Sequence, residues 1–420
     1  MLKLSELLEH EHTSQAPVQG VYADVLGATL RWVNRLDVAP TRLAKVEASA
    51  AIVKRSASVV LVVTFAALSA CGGGTAPTSQ PSNPTPTPAP TYTWYQAATQ
   101  APFAGRDGAG LVAFSGKLWL LGGWRWASAP EANFPQTGLP GCCTTSEVWN
   151  STDGVHWMLA TLAPWEGRHM AGWVVFLGKL WVIGGDDNSG HYQPNVWNSS
   201  DGVNWSQVTS ALPWGDRVLH YVVPFNGKLY VMGGQQLPAA LNPIPNPYPT
   251  EPVNYADVWS SSDGITWRQV SSMPAALGMI CGSVVFNNQL WVIGGGTYGD
   301  DTQGVAGTAY NEVWSTPDGV TWTQHMDAPW PARRYHNVVE FNSALFVLAG
   351  IGDDGSSDKN DVYYSTDGES WQTLNAPGSA PWVERHAASA AVFNGALWLT
   401  GGTDNSQIQH NDVWQLISQE

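Results

Sequence analysis

A single eight-residue phrase, written six times, constrains this chain more than any other feature. Gly178-Lys179-Leu180-Trp181-Val182-Ile183-Gly184-Gly185 recurs with small changes at residues 116–123, 227–234, 288–295, 343–350 and 395–402. A second phrase, Val-Trp-x-Ser-x-Asp-Gly-x-x-Trp or a near copy, occupies 148–157, 196–205, 258–267 and 313–322. It returns at 362–371 with Tyr363 in place of the first Trp. Copies spaced about fifty residues apart cannot each bury a core of their own; they specify an array in which neighbours bury one another.

Each copy reads as four short strands. In the second copy, Gly172-Trp173-Val174-Val175-Phe176 supplies strand a, strand b ends in the Gly pair, Asn195-Val196-Trp197 is strand c and Trp205 marks strand d. The chain has 23 Trp and 43 Gly, and only 13% of its residues are charged. Trp packs on pleated surfaces and Gly supplies tight turns, so the class is all-β. The sixth copy stops after Val413-Trp414-Gln415-Leu416 and lacks strand d. Tyr92-Thr93-Trp94-Tyr95, at the front, looks like a strand d without its c. The N-terminal strand is therefore expected to complete the last blade and close a ring, leaving no free sheet edge at the join.

The Gly pair at the end of strand b and the Trp in strand d resemble kelch repeats, over nearly all of residues 91–420. The resemblance implies a six-bladed β-propeller, built like the central domain of galactose oxidase. That enzyme's Cys–Tyr cofactor and Tyr/His copper ligands have no matching set in this sequence, so no cofactor is expected. The five Asp-Gly turns at 153–154, 201–202, 263–264, 318–319 and 367–368 also resemble sialidase Asp boxes, one residue shorter. Asp-Gly favours a tight hairpin, and these turns are expected to fix the c–d hairpins rather than touch a substrate.

The front end reads differently. Lys54-Arg55, the apolar run 57–67 and Leu68-Ser69-Ala70-Cys71 follow the order of a secretory signal. The run is shorter than the ~20 residues of a spanning helix. Leu-Ser-Ala-Cys resembles the lipobox of bacterial lipoproteins, which implies lipidation at Cys71 and, with Gly72 following, outer-membrane delivery. Residues 1–52 are then an upstream extension, from a misplaced start or a genuine cytoplasmic addition. Residues 53–71 are the signal, 72–90 a Pro/Thr/Ser-rich tether, and 91–420 the propeller.

Function is sought where the repeats differ. The a–b and c–d turns are short and uniform at one end of every blade, whereas the b–c loops at the other end vary widely in length. Varied loops on a rigid scaffold are where binding residues collect. The d–a loops share that end, and in them Arg106, Arg168, Arg217, Arg333 and Arg385 stand eight residues before the Phe that ends strand a. Three residues further back stand Phe103, Trp165, Trp214, Trp330 and Trp382; the fourth copy breaks the rule with Gly278 and Ala275. Residues 72–420 contain only eight Arg, so five at one repeat position are not accidental.

Two roles are open to these residues. They could ring the channel mouth and hold an anionic ligand, Arg by bidentate contact and the aromatic by a flat face. They could instead pair with Glu166, Asp216 and Glu384 between blades. The first role makes the chain a membrane-tethered, monomeric binding module for a glycan or protein. Its alternative is a sugar-acting enzyme resembling the kelch-type sialic acid mutarotase, with acid/base candidates Asp107, Glu166, Asp216 and Glu384. A net charge of −15 without a basic stripe argues against nucleic acid. His169, His220, His336 and His386 fall at strand-a starts without zinc spacing, the acidic run 353–358 lacks a full calcium ligand series, and pairing among Cys142, Cys143 and Cys281 stays open.

Overall fold

Strand b of each copy is apolar on both faces, and this decides the architecture. Lys179–Ile183 is buried from Leu180 onward, as are Lys117–Leu121 and Lys228–Met232 beyond their lysines. A strand buried on both faces must sit in a sheet covered on both sides. Strand d behaves oppositely: Ser206–Thr209 and Gln372–Asn375 begin with exposed polar residues. Each sheet is thus buried at its inner strands and solvated at its outer edge.

The computed structural model describes residues 90–125, 143–186, 192–236, 253–274, 282–298, 307–352 and 358–419. The upstream extension, the signal with Cys71, the tether before residue 90, Cys142, Cys281, Ala275, Gly278 and the acidic run 353–357 lie outside the described residues. Six four-stranded antiparallel sheets form the blades. Blade one comprises Gly110–Phe114, Lys117–Leu121, Glu147–Ser151 and Met158–Leu162; the next four repeat this order. The inner strands a contact one another in sequence, and that of blade six, His386–Phe393, meets that of blade one. The ring is closed, and the protein is an all-β six-bladed propeller.

Closure is made as the sequence implies. Thr91–Ala98 pairs antiparallel with Val413–Gln419, from Thr91 opposite Gln419 to Ala98 opposite Val413. Trp94 meets Trp382 edge-on at 5.9 Å, the arrangement that Trp205 makes with Trp165 and Trp371 with Trp330. The N-terminal strand therefore supplies blade six with the aromatic that strand d supplies elsewhere.

Seams between blades rest on a second repeated contact. In five of the six blades the aromatic in the middle of strand b lies under the Asp-Gly turn of the following blade. A Cβ on Gly202 would sit 2.3 Å from Trp119, one on Gly264 2.5 Å from Trp181, and one on Gly154 2.2 Å from Trp398. Only glycine permits that approach, and its φ of 74–77° at these turns is one that L side chains rarely adopt. The Asp of each turn accepts bonds from its own backbone: the N–H groups of Val155 and His156 donate to Asp153 Oδ1 at 2.8 Å. These bonds hold the carboxyls of Asp263 and Asp367 down at about 2. The turns are hinge pins of the hairpins, facing themselves rather than a ligand.

Blade six has no Asp-Gly turn to cover blade five. There the strand-b aromatic is Phe346, which lacks the N–H that Trp119, Trp181, Trp291 and Trp398 donate to a strand-a carbonyl. Tyr92 covers it edge-on at 5.1 Å instead. Removing residues 91–98 should strip that cover, the Trp94 contact and the outer ladder of blade six together. Thermal melting and light scattering should then show a marked loss of stability with aggregation through the bared edge; an unchanged melting temperature would contradict the closure.

Candidate functional site

The repeated geometry of the d–a loops starts with arginine. Arg106, Arg168, Arg333 and Arg385 are fully buried and Arg217 is 3% exposed. Each spans its own blade: a guanidinium N–H donates to the first carbonyl of the strand-b Gly pair or its Ala equivalent. These acceptors are Gly122, Gly184, Gly233, Ala349 and Gly401, at 2.8–3.1 Å. A second donor reaches the residue two before the strand-c aromatic, which is Glu147, Asp257, Asp361 or Asp412. The backbone of the same residue crosses the seam. Gly123, Gly350 and Gly402 of one blade donate their N–H to the carbonyls of Arg168, Arg385 and Arg106 of the next.

This places the predicted ligand residues inside the wall. Arg106, Arg168, Arg217, Arg333 and Arg385 do not ring the channel mouth; they clamp strands b and c of their own blades. Phe103, Trp165, Trp214, Trp330 and Trp382 are 1–5% exposed. Four of these lie about 6 Å from their arginine, and Arg217 instead covers Tyr255 at 3.9 Å. None offers a face to a sugar. The expected partners differ in blades one, three, five and six, where the acids stand at the head of strand c, whereas Arg168, whose strand-c residue is Asn195, has the charge of Glu166 beside it. Burial selects that outcome, since a dry guanidinium needs an equally sequestered carboxylate.

The open site lies one and two residues further along. After each arginine the chain enters a left-handed residue: Gly108, Met170, Leu219, Tyr335 and Ala387 have φ of 50–65°. That kink puts the intervening residues, Asp107, His169, Arg334 and His386, around a basin of about 360 Å³. Trp124, Tyr298 and Tyr335 add aromatic surface, and Gln407 a polar rim. Short two-stranded ribbons from the b–c loops, such as Trp124–Arg125 with Cys143–Thr144, wall the same end. Of the four acid/base candidates, the structure brings Asp107 into the basin; Glu166 and Asp216 are exposed and Glu384 half-exposed in the outer loops.

Charges in the basin are paired. His169 Nδ1 lies 2.5 Å from Asp186 Oδ1, and His386 Nδ1 lies 2.6 Å from Asp358 Oδ1. Burial alone would lower the pKa of His169, but the charges of Asp186 and Asp107 outweigh it and carry it to about 9. Asp358 likewise raises His386 against its burial. Burial raises the carboxyl of Asp107, which accepts the hydroxyl of Thr403 at 2.5 Å and faces both imidazoles. The other two histidines sit deeper. His220 and His336 donate Nε2 to the carbonyls of Ile183 and Ile293, and burial with a neighbouring arginine lowers them to about 4 and about 3. Among the described residues, no group of three or more His, Cys, Asp or Glu is placed to hold a metal ion.

Sequence reasoning found the repeat position but stopped at its constant member. The signal of the site was variation beside it: one residue on from Arg stand Asp, His, Val, Arg and His in blades one, two, three, five and six.

Comparison with known proteins agrees with this construction. No family model matches the chain. It is 26% identical over 135 residues to kelch repeat protein M-T8 of Myxoma virus, covering 32% of this chain and 24% of that protein. It is 27% identical over 216 residues to the human kelch repeat and BTB domain-containing protein 12, covering 48% and 32% respectively. The matches thus span a third or less of these relatives' lengths. The solved structure of YjhT superposes with a TM-score of 0.57 at 16% identity, over 77% of this chain and all of that one.

Blade two supplies a test of the clamp. There the acid is replaced by Asn195, which accepts from Arg168 Nη1 at 3.0 Å and from Trp197. Arg168 Nη2 is left buried without a partner, and burial lowers this guanidinium to about 9. Asn195→Asp should restore the pair seen in blades three, five and six and stabilise the propeller by about 1.5–3 kcal/mol in chemical denaturation. No gain would show that a carboxylate at this position does not matter.

The repeated strand order, the Gly pair, the closing strand and these relatives lead to one conclusion: the chain is a six-bladed β-propeller of the kelch-repeat type.

Proposed function

We propose that this propeller is a binding module that takes a polar, ring-sized group, such as a terminal sugar of a glycan, in the basin at its b–c/d–a end. One observation carries this reading. The repeated arginines and aromatics of the scaffold are buried within the blades, whereas the basin gathers aromatic faces and charged groups around open space. Three aromatic rings suit the apolar faces of a sugar, and the imidazoles, Arg334 and Asp107 offer donors and acceptors to its rim.

Thr91 and Gln419 are paired at the short-turn end of blade six, opposite the basin. In this reading the chain is held at a membrane through Cys71 and a tether over residues 72–90. A second reading, a sugar-acting enzyme, is favoured by one feature: the buried carboxyl of Asp107 faces the imidazoles of His169 and His386, as an acid/base group would.

A glycan array followed by calorimetry tests the first reading. A hit should bind, and His169→Ala or Asp107→Asn should weaken it at least tenfold while leaving the melting temperature within a few degrees. Binding unaffected by either change would remove the ligand from the basin. Turnover of the hit, abolished by Asp107→Asn, would favour the enzyme. In the same cells, Cys71→Ala should shift the full chain out of the membrane fraction; unchanged fractionation would discard the anchor.

A further inference from the structure

The left-handed position that follows the ring of polar residues holds a second piece of information. Its occupants are Gly108, Met170, Leu219, Tyr335 and Ala387, and all five line an inner cavity of about 150 Å³ in the channel. Met170, Tyr335 and Ala387 also line the outer basin. The two spaces therefore meet at this layer and nowhere else among their shared lining residues. Within the layer, Met170, Leu219 and Tyr335 pack into one apolar cluster with Tyr298 and Tyr192. Side chains from four neighbouring blades thus converge on the axis.

Tyr335 is the largest of the layer and the least expected. A bulky residue at φ 56° is strained, and strain of this kind is kept where the surroundings over-determine it. Blade one meets the same backbone with Gly108 at φ 57°. The fold thus accepts a glycine there, and the ring of Tyr335 is an addition to the scaffold rather than a requirement of it.

We propose that Tyr335 is the floor of the basin and its size-selecting residue. With Met170 and Leu219 it shuts the outer basin from the inner channel, so the site accepts one sugar-sized ring and excludes a chain threading inward. The selection role rests on the basin being the ligand site; the floor itself does not.

Two arms separate these claims. In the full chain, Ala388→Cys places a thiol on the inner cavity, which Ala388 lines and the outer basin does not reach. Its reaction with a small thiol reagent is followed by the mass of the peptide containing residue 388, apart from the native cysteines. Labelling should be at least tenfold faster with Tyr335→Gly and stay slow with Tyr335→Phe, which keeps the ring. Equal rates in all three backgrounds would overturn the floor. Calorimetry with a monosaccharide and its linear trisaccharide then reads selection. The protein with Tyr335 should prefer the single ring, and Tyr335→Gly should reduce that preference at least fivefold. An unchanged ratio would overturn the selection role. Absence of binding to any saccharide would overturn it together with the basin reading, while the labelling arm would still decide the floor.

Discussion

A buried guanidinium cannot be left to itself, and the blades are organised around that requirement. Each of the five arginines takes the carbonyl ending strand b, four of them also take an acid opening strand c, and the carbonyls of Arg106, Arg168 and Arg385 receive an N–H from the preceding blade. One residue thus ties two strands within a blade and one seam between blades. Breaking one side of a fully buried pair costs about 3–5 kcal/mol, which is comparable to much of a domain's net stability. Five of the six blades keep the arginine because its partners would be left buried and unpaired without it, and what varies beside it is free to serve a ligand.

Packing completes what the clamp begins. The strand-b aromatic needs a cover, the Asp-Gly turn of the next blade provides one, and the turn can come close only because it carries glycine. Overpacking such a contact costs about 1–3 kcal/mol, so each turn glycine is held by its neighbour as well as by its hairpin. Where the ring joins, no turn is available, and Phe346 under Tyr92 replaces the usual Trp. The local substitution and the missing turn are two signs of the same closure.

Much of this was legible in the residues. Fixed spacing gave six blades, and the orphaned Trp94 gave the closing strand, because strand pairing follows from pattern and length. The arginine ring was legible as an equivalence but not as a place. Counting residues shows which side chains are alike; it does not show whether they point into a wall or a channel. The acid that answers each arginine lies 27–41 residues away in blades one, three, five and six, and neighbours in sequence such as Glu166 were nearer candidates. The left-handed kink that opens the basin was hidden for a different reason. Only Gly108 advertises it; Met170, Leu219, Tyr335 and Ala387 adopt it without any residue preference for it.

The account stands on the clamp, and a double-mutant cycle at Arg333 and Asp361 addresses it most directly, since both side chains are at most 1% exposed and joined by two hydrogen bonds. Arg333→Gln and Asp361→Asn should each destabilise the protein by about 3 kcal/mol or more. The double variant should fall short of their sum by about 1–3 kcal/mol. Additivity within about 0.5 kcal/mol would mean that the two groups do not depend on each other, and the interaction from which the rest of the structure has been argued would not hold it together.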